Sequence, residues 1–241
     1  LFLFFIGAVL MRSAGCIVND IVDKEYDKKV FRTKNRPIAS GKISVSLGLF
    51  YATTLCLLAF LVLINFNYFT IIIALASMPL AFTYPLMKRF TYWPQLFLGV
   101  TFNYGLILGW TSINPEINLI PLIFYCGAIF WTLGYDTIYG FQDIKDDEII
   151  GLKSTSIKFK KNPFTFLYIC YSIFLINLFI VGYLNKMNIF YFISMLIIIF
   201  QMIHFQLKKL KINDPSSCFK IFKSNNGLGL MVFFLILIGK F

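Results

Sequence analysis

Apolar residues along this chain arrive in continuous blocks, separated by short polar stretches. Eight blocks can be marked, at about 1–18, 47–65, 68–83, 92–110, 117–135, 164–183, 188–206 and 227–239. A helix needs about 20 residues to cross a bilayer core roughly 30 Å thick, and most of the blocks approach that length. Their unbroken apolarity differs from the period-two alternation of a membrane β-strand. The pattern predicts an all-α integral membrane protein, a bundle of about eight transmembrane helices forming one domain over residues 1–241. The third and eighth blocks are short, and Pro79 and Pro121 are expected to kink their helices.

The polar stretches between blocks alternate in character. Stretches 19–46, 84–91, 136–163 and 207–226 hold 19 of the 22 Lys and Arg residues, whereas 66–67, 111–116 and 184–187 carry only Lys186. Basic residues gather on the cytoplasmic side of membrane proteins, so the four basic stretches are expected there, or in the matrix of a mitochondrion. The expected location is a bacterial or mitochondrial inner membrane. The chain begins with Leu1 inside an apolar block, without an initiator Met or a signal-peptide pattern, which suggests a domain truncated at its N-terminus. Ten of the eleven acidic residues fall on the same side, nine of them in two clusters at 20–27 and 136–148. Orientation does not require this, since acidic residues contribute little to it.

Composition agrees with the block pattern. The chain is 59% hydrophobic and 14% charged, with a mean hydropathy of +0.77, which excludes an ordinary soluble domain. The net charge of +11 follows from the basic loops and needs no nucleic-acid partner. Five cysteines form no CxxC pair and read as small buried hydrophobes, and the single histidine, His204, reads as structural.

The acidic clusters carry the chemistry. In the first, Asn19, Asp23 and Asp27 are spaced i, i+4, i+8 and would share a helical face. Arg12, inside the first block, falls within about 20° of Asn19 and Asp23 at 100° per residue. In the second, Asp136, Tyr139, Asp143 and Asp147 form another stripe directly after an apolar block. Two carboxylate faces at one membrane surface repel each other unless cations lie between them. Hard oxygen ligands suit Mg²⁺, which typically takes one or two carboxylates together with phosphate oxygens. The arrangement suggests two Mg²⁺-assisted grips on one diphosphate, with Arg32, Arg36, Lys88, Arg89 and Lys153 as further contacts.

At these residues the sequence resembles the UbiA-type aromatic prenyltransferases, and within them the 4-hydroxybenzoate polyprenyltransferases of ubiquinone synthesis. The resemblance rests on MRSAGCIVNDIVDKEYDKKVFRTKNRPIASGKIS at 11–44, with its NDxxDxxxD pattern, and on YDTIYGFQDIKDDEIIGLKST at 135–155. Between them YPLMKRFTYWPQLFLG at 84–99 has the look of the 4-hydroxybenzoate subgroup. The resemblance covers nearly the whole chain and implies a nine-helix bundle around a central cavity. It also implies Mg²⁺–diphosphate binding by Asn19, Asp23, Asp27, Asp143 and Asp147, with Arg32, Arg36 and Lys153 on the diphosphate.

The implied substrates are a polyprenyl diphosphate and 4-hydroxybenzoate, joined by electrophilic substitution ortho to the hydroxyl. Asp136, Tyr139 or Asp143 would orient the phenol or take its proton, and Arg12, Lys88 or Arg89 would meet the acceptor's carboxylate. Two other readings stand beside this one. A sibling enzyme would use a naphthoate, haem or chlorophyll-precursor acceptor. An ion-coupled transporter would place its ionisable groups near the bilayer midplane, where only Arg12 lies.

Overall fold

The computed structural model describes residues 1–240, and all its regular structure is helical among them. Nine helices carry the architecture: α1 (Phe2–Val22), α2 (Val45–Leu63), α3 (Tyr68–Thr83), α4 (Pro94–Phe102), α5 (Tyr104–Thr111), α6 (Leu119–Gly140), α7 (Pro163–Leu184), α8 (Ile189–Phe200) and α9 (Pro215–Lys240). Their starts are written locally. Ser44, Asn67, Asn118 and Asn188 each accept a backbone N–H of the first turn, and Pro94, Pro163 and Pro215 occupy positions where no amide is needed.

Among the described residues, seven helices are long and apolar enough to cross a membrane, including Tyr68–Phe90 and Ile189–Leu207 when their irregular ends are counted. The remaining predicted block, 92–110, is broken into α4 and α5. At the break the Asn103 amide donates to Gly99 O at 2.8 Å, Thr132 Oγ1 at 2.7 Å and Ala128 O at 3.2 Å, tying the interruption to α6. The block 227–239 is instead the end of a longer helix. α9 starts at Pro215 and buries Cys218, Ile221 and Asn225 on one face, while Lys220 and Lys223 stay exposed. More than half of the predicted loop 207–226 is therefore helical. Pro121 lies in the first turn of α6, where its missing N–H costs nothing, so the expected kink has no cause there.

α1 packs along α2, and α6 is the hub for α4, α7 and α9. Gly127 and Gly134 let α7 approach α6 closely. A Cβ at Gly127 would lie 2.8 Å from Asn177 Cβ, and one at Gly134 would lie 2.5 Å from Tyr171 Cε1. The core sits in this half, around Leu133, Leu167, Phe174, Leu178, Tyr191, Met202 and Leu228. A π-helical turn at Gln201–Leu207 carries the buried Gln206, which joins Tyr171 and Asn225 in a hydrogen-bonded network that also takes in Trp131. The outer surface is apolar, with Phe5, Leu57, Leu61, Ile176, Phe179, Leu196 and Phe234 all exposed, as suits a lipid-facing wall. His204 belongs to that surface and stacks on Phe200.

Candidate active site

Both acidic clusters lie where spanning helices end, and neither is one continuous helical stripe as expected. α1 carries Asn19 and Asp20 and stops at Val22. Asp23 is its C-cap, and Asp27 closes a separate one-turn helix, Lys24–Asp27. α6 carries Asp136 and Tyr139 and stops at Gly140. Asp143 then precedes the short helix Ile144–Ile149, which holds Asp147. These breaks turn the chain inward, and the two clusters become facing parts of one cavity of about 360 Å³.

All the predicted metal ligands line that cavity, as do Asp136, Tyr139, Arg12, Arg32, Arg36, Lys88 and Lys153. Arg89 does not. Its Nη2 donates to Val22 O at 2.6 Å and its guanidinium covers the Tyr26 ring, so it clamps the end of α1 from behind.

Most of the cavity's cations are paired with its carboxylates. Arg32 grips Asp143 with two nitrogens, Nε to Oδ1 at 3.0 Å and Nη2 to Oδ2 at 2.5 Å, while Nη1 donates to Tyr139 OH at 2.7 Å. Arg36 Nη1 bridges Asp20 Oδ1 at 3.0 Å and Asp27 Oδ2 at 2.9 Å. Lys88 Nζ meets Asp23 Oδ2 at 2.5 Å. The Lys88 carbonyl accepts Lys153 N–H at 2.8 Å, so one short segment braces both sides of the cavity. Behind the second cluster, Thr155 N–H donates to Gln95 Oε1 at 3.0 Å and Ser156 Oγ to Thr137 O at 2.8 Å, fixing the chain that carries Lys153.

Besides Asp136, which makes no ion pair among the described residues, two of the expected metal ligands are left short of partners. Asp23 is 2% exposed, and its buried Oδ1 has no hydrogen bond, Arg89 Nη2 lying 3.8 Å away. Burial raises its pKa despite the pull of Lys88. Asp147 has no ion-pair partner among the described residues. Burial and, next, the Asp143 charge push its pKa up to about 6. Arg32 is held still more firmly protonated by its hydrogen bonds to Asp143.

These donors fit Mg²⁺ on chemical grounds, because the orphaned Asp23 oxygen and the unpaired Asp147 are hard ligands at a cavity wall. No three acidic groups converge tightly enough to hold an ion by themselves among the described residues. That suits a cation sharing its coordination sphere with phosphate oxygens.

The structure also brings in residues the sequence reading had not singled out. Asp20 lines the cavity and shares Arg36 with Asp27; its place beside Asn19 was the available signal. Tyr84 lines it from the start of YPLMKRF, whose two basic residues alone had been selected. Gln95 gave no signal, since one polar residue in an apolar block is unremarkable until Thr155 is seen beside it.

Comparison with known proteins completes the picture. The chain is 44% identical over 239 residues to the bovine protein named 4-hydroxybenzoate polyprenyltransferase, mitochondrial, covering 99% of this chain and 64% of that protein. A 4-hydroxybenzoate octaprenyltransferase of Francisella tularensis subsp. novicida (strain U112) is 36% identical over 240 residues, 99% of this chain and 84% of the relative. The chain thus spans a little under two thirds of the bovine relative's length and most of the bacterial one's.

Among solved structures, the apo UbiA homologue from Aeropyrum pernix K1 superposes with a TM-score of 0.85 at 19% identity, over 100% of this chain and 89% of that one. A UbiA homologue from Archaeoglobus fulgidus bound to GPP and Mg²⁺ superposes with a TM-score of 0.75 at 19% identity, over 99% and 85%. At these identities the likeness speaks to the fold. Residues 1–237 match the UbiA prenyltransferase family, and with the relatives above this establishes that the chain belongs to that family.

Proposed function

We propose that this protein transfers a polyprenyl group from a polyprenyl diphosphate to the ring of 4-hydroxybenzoate, with Mg²⁺ as cofactor, a step of ubiquinone synthesis. One observation carries the reading: two acidic clusters and their cations share a single cavity at the end of a membrane-spanning bundle. The names of the bovine and Francisella relatives supply the acceptor. The Archaeoglobus structures, with GPP or DMAPP and Mg²⁺, supply the donor chemistry and the ion.

Asn19, Asp23 and Asp27 on one side, and Asp143 and Asp147 on the other, would hold Mg²⁺, whose charge makes the diphosphate a better leaving group. Arg32, Arg36 and Lys88, which neutralise carboxylates at the cavity wall, would meet the phosphate oxygens and add to that charge. The bond between the allylic carbon and oxygen breaks with its electron pair leaving on the diphosphate. The ring carbon ortho to the hydroxyl forms the new carbon–carbon bond, and the ring proton is lost. Asp136 suits that proton better than Tyr139 or Asp143, because Arg32 already occupies the other two.

The partition of basic residues supports an inner-membrane protein whose cavity opens to the cytoplasm or matrix. The test is the full-length protein in lipid bilayers with Mg²⁺, geranyl diphosphate and a panel of acceptors, read by product mass. Mg²⁺-dependent prenylation of 4-hydroxybenzoate at the ortho carbon is expected. Preference for a naphthoate or a porphyrin would assign the protein to a sibling activity.

A further inference from the structure

Three of the four basic stretches mix their cations with acids or place them at the cavity. Stretch 207–226 does neither. It carries Lys208, Lys209, Lys211, Lys220 and Lys223 with one acid, Asp214. All five lysines are exposed, none lines the cavity, and none forms an ion pair among the described residues. Asp214 is held by its own turn, its Oδ1 accepting Ser216 N–H at 3.0 Å and the Ser216 hydroxyl at 2.8 Å. That turn folds back on the start of α9, where Ser217 Oγ accepts Lys211 N–H at 3.1 Å. The lysines are thereby gathered at one corner of the bundle.

The corner lies at the level of the membrane surface. α9 has 26 residues, about 39 Å of helix, which is about 9 Å more than the hydrocarbon core requires. With the apolar block 227–239 inside the core, the excess falls on the first turns, around Pro215–Lys220. Lys223, a turn deeper, reaches the headgroup layer with its long side chain. Phe205 and Phe219 are exposed beside these cations. Lys209 Nζ lies 4.2 Å from the Phe205 ring centroid, and Lys223 Nζ lies 4.4 Å from that of Phe219.

We propose that this corner binds an anionic phospholipid, with Lys209, Lys211, Lys220 and Lys223 on its phosphate headgroup and Phe205 and Phe219 against its acyl chains. Clustered lysines at the end of a spanning helix attract anionic headgroups and gain nothing from a neutral one. A zwitterionic headgroup also brings its own ammonium, which unpaired lysines repel. An acidic soluble protein would match the charge but not the two phenylalanines, which stand at the acyl boundary where a lipid supplies both partners.

The experiment places the full-length protein in phosphatidylcholine bilayers with a trace of photo-crosslinkable phosphatidylglycerol or phosphatidylcholine, and maps the labelled peptides by mass. Phosphatidylglycerol should label residues 205–223 at least about tenfold more than phosphatidylcholine does. Lys220→Gln combined with Lys223→Gln should lower that ratio at least about fivefold, the scale of one basic residue near an anionic surface. Lys29→Gln combined with Lys34→Gln, on another exposed basic stretch, should leave it unchanged. A ratio near one in the unaltered protein overturns the inference and leaves the corner to an acidic protein surface. An equal loss from the Lys29 and Lys34 pair also overturns it, because the effect is then one of general surface charge. Affinity for geranyl diphosphate with Mg²⁺ in pure phosphatidylcholine bilayers should be the same in the unaltered protein and the Lys220 and Lys223 pair. A loss there as large as the loss of phospholipid preference assigns these lysines to the diphosphate donor and overturns the inference. Should that pair not accumulate, Lys209→Gln and the salt dependence of the ratio in the unaltered protein are read instead. Salt must weaken the preference, as it does between exposed charges, and a ratio indifferent to both salt and Lys209→Gln overturns the inference.

Discussion

Among the expected Mg²⁺ ligands, Asp23 and Asp147 are the carboxylates the cavity leaves least satisfied, and the acidic site sets two expectations. Asp23→Ala and Asp143→Ala should each reduce turnover at least about 100-fold, as the loss of one positioned electrostatic group does, with protein level in the membrane unchanged. Near-normal activity in either variant removes that residue from the site. Asp147, with its pKa raised to about 6, binds a proton more tightly than a free aspartate does. A proton and a cation compete for it, so Mg²⁺-dependent binding of geranyl diphosphate should weaken as pH falls through about 6 and level off above about 7. Asp147→Asn should flatten that dependence, and a slope surviving the substitution places the titration elsewhere. At this scale the sequence was informative where spacing reflects chemistry: Asn19, Asp23, Asp27, Asp143 and Asp147 reach one cavity. It was less informative about partners. Lys88 and Arg89 are neighbours of equal charge, yet one meets Asp23 inside the cavity and the other grips a backbone carbonyl behind it, because successive helical residues point about 100° apart.

Single residues also decide how the elements pack. The approach of α7 to α6 depends on Gly134, where a side chain would press on the buried Tyr171 ring, whose hydroxyl is already bonded to Gln206. Gly134→Val should destabilise the protein by about 1–3 kcal/mol, as overpacking does, read as a lower melting temperature in bilayers. Gly15→Ala on α1, which would meet no neighbouring atom, should cause no loss. Equal effects would contradict the packing account. Helix existence was legible from apolar blocks, but two ends were not. α9 begins twelve residues before its apolar block because residues 215–226 bury one face and show lysines on the other, which average hydropathy conceals. The α4–α5 break depends on an Asn103 amide finding Thr132, 29 residues away, and no local pattern reports a distant partner.

Over the whole molecule, an apolar wall surrounds a cavity whose charged groups come mainly from α1, α6 and the polar segments at one end of the bundle. If basic loops mark the cytoplasmic or matrix side, a single cysteine at Lys42 should react with an impermeant reagent only from that side, and one at Asn114 only from the other. The native cysteines would be replaced for this test; same-side labelling would reverse the proposed topology. The central claim is that the two clusters grip one diphosphate together. Its most direct test is a double-mutant cycle on Mg²⁺-dependent affinity for geranyl diphosphate in bilayers, without acceptor, using Asp27→Asn and Asp147→Asn singly and combined. Two walls sharing one ligand predict strong non-additivity, a coupling of about 1 kcal/mol or more. Strictly additive losses, as from two independent sites, would contradict the account.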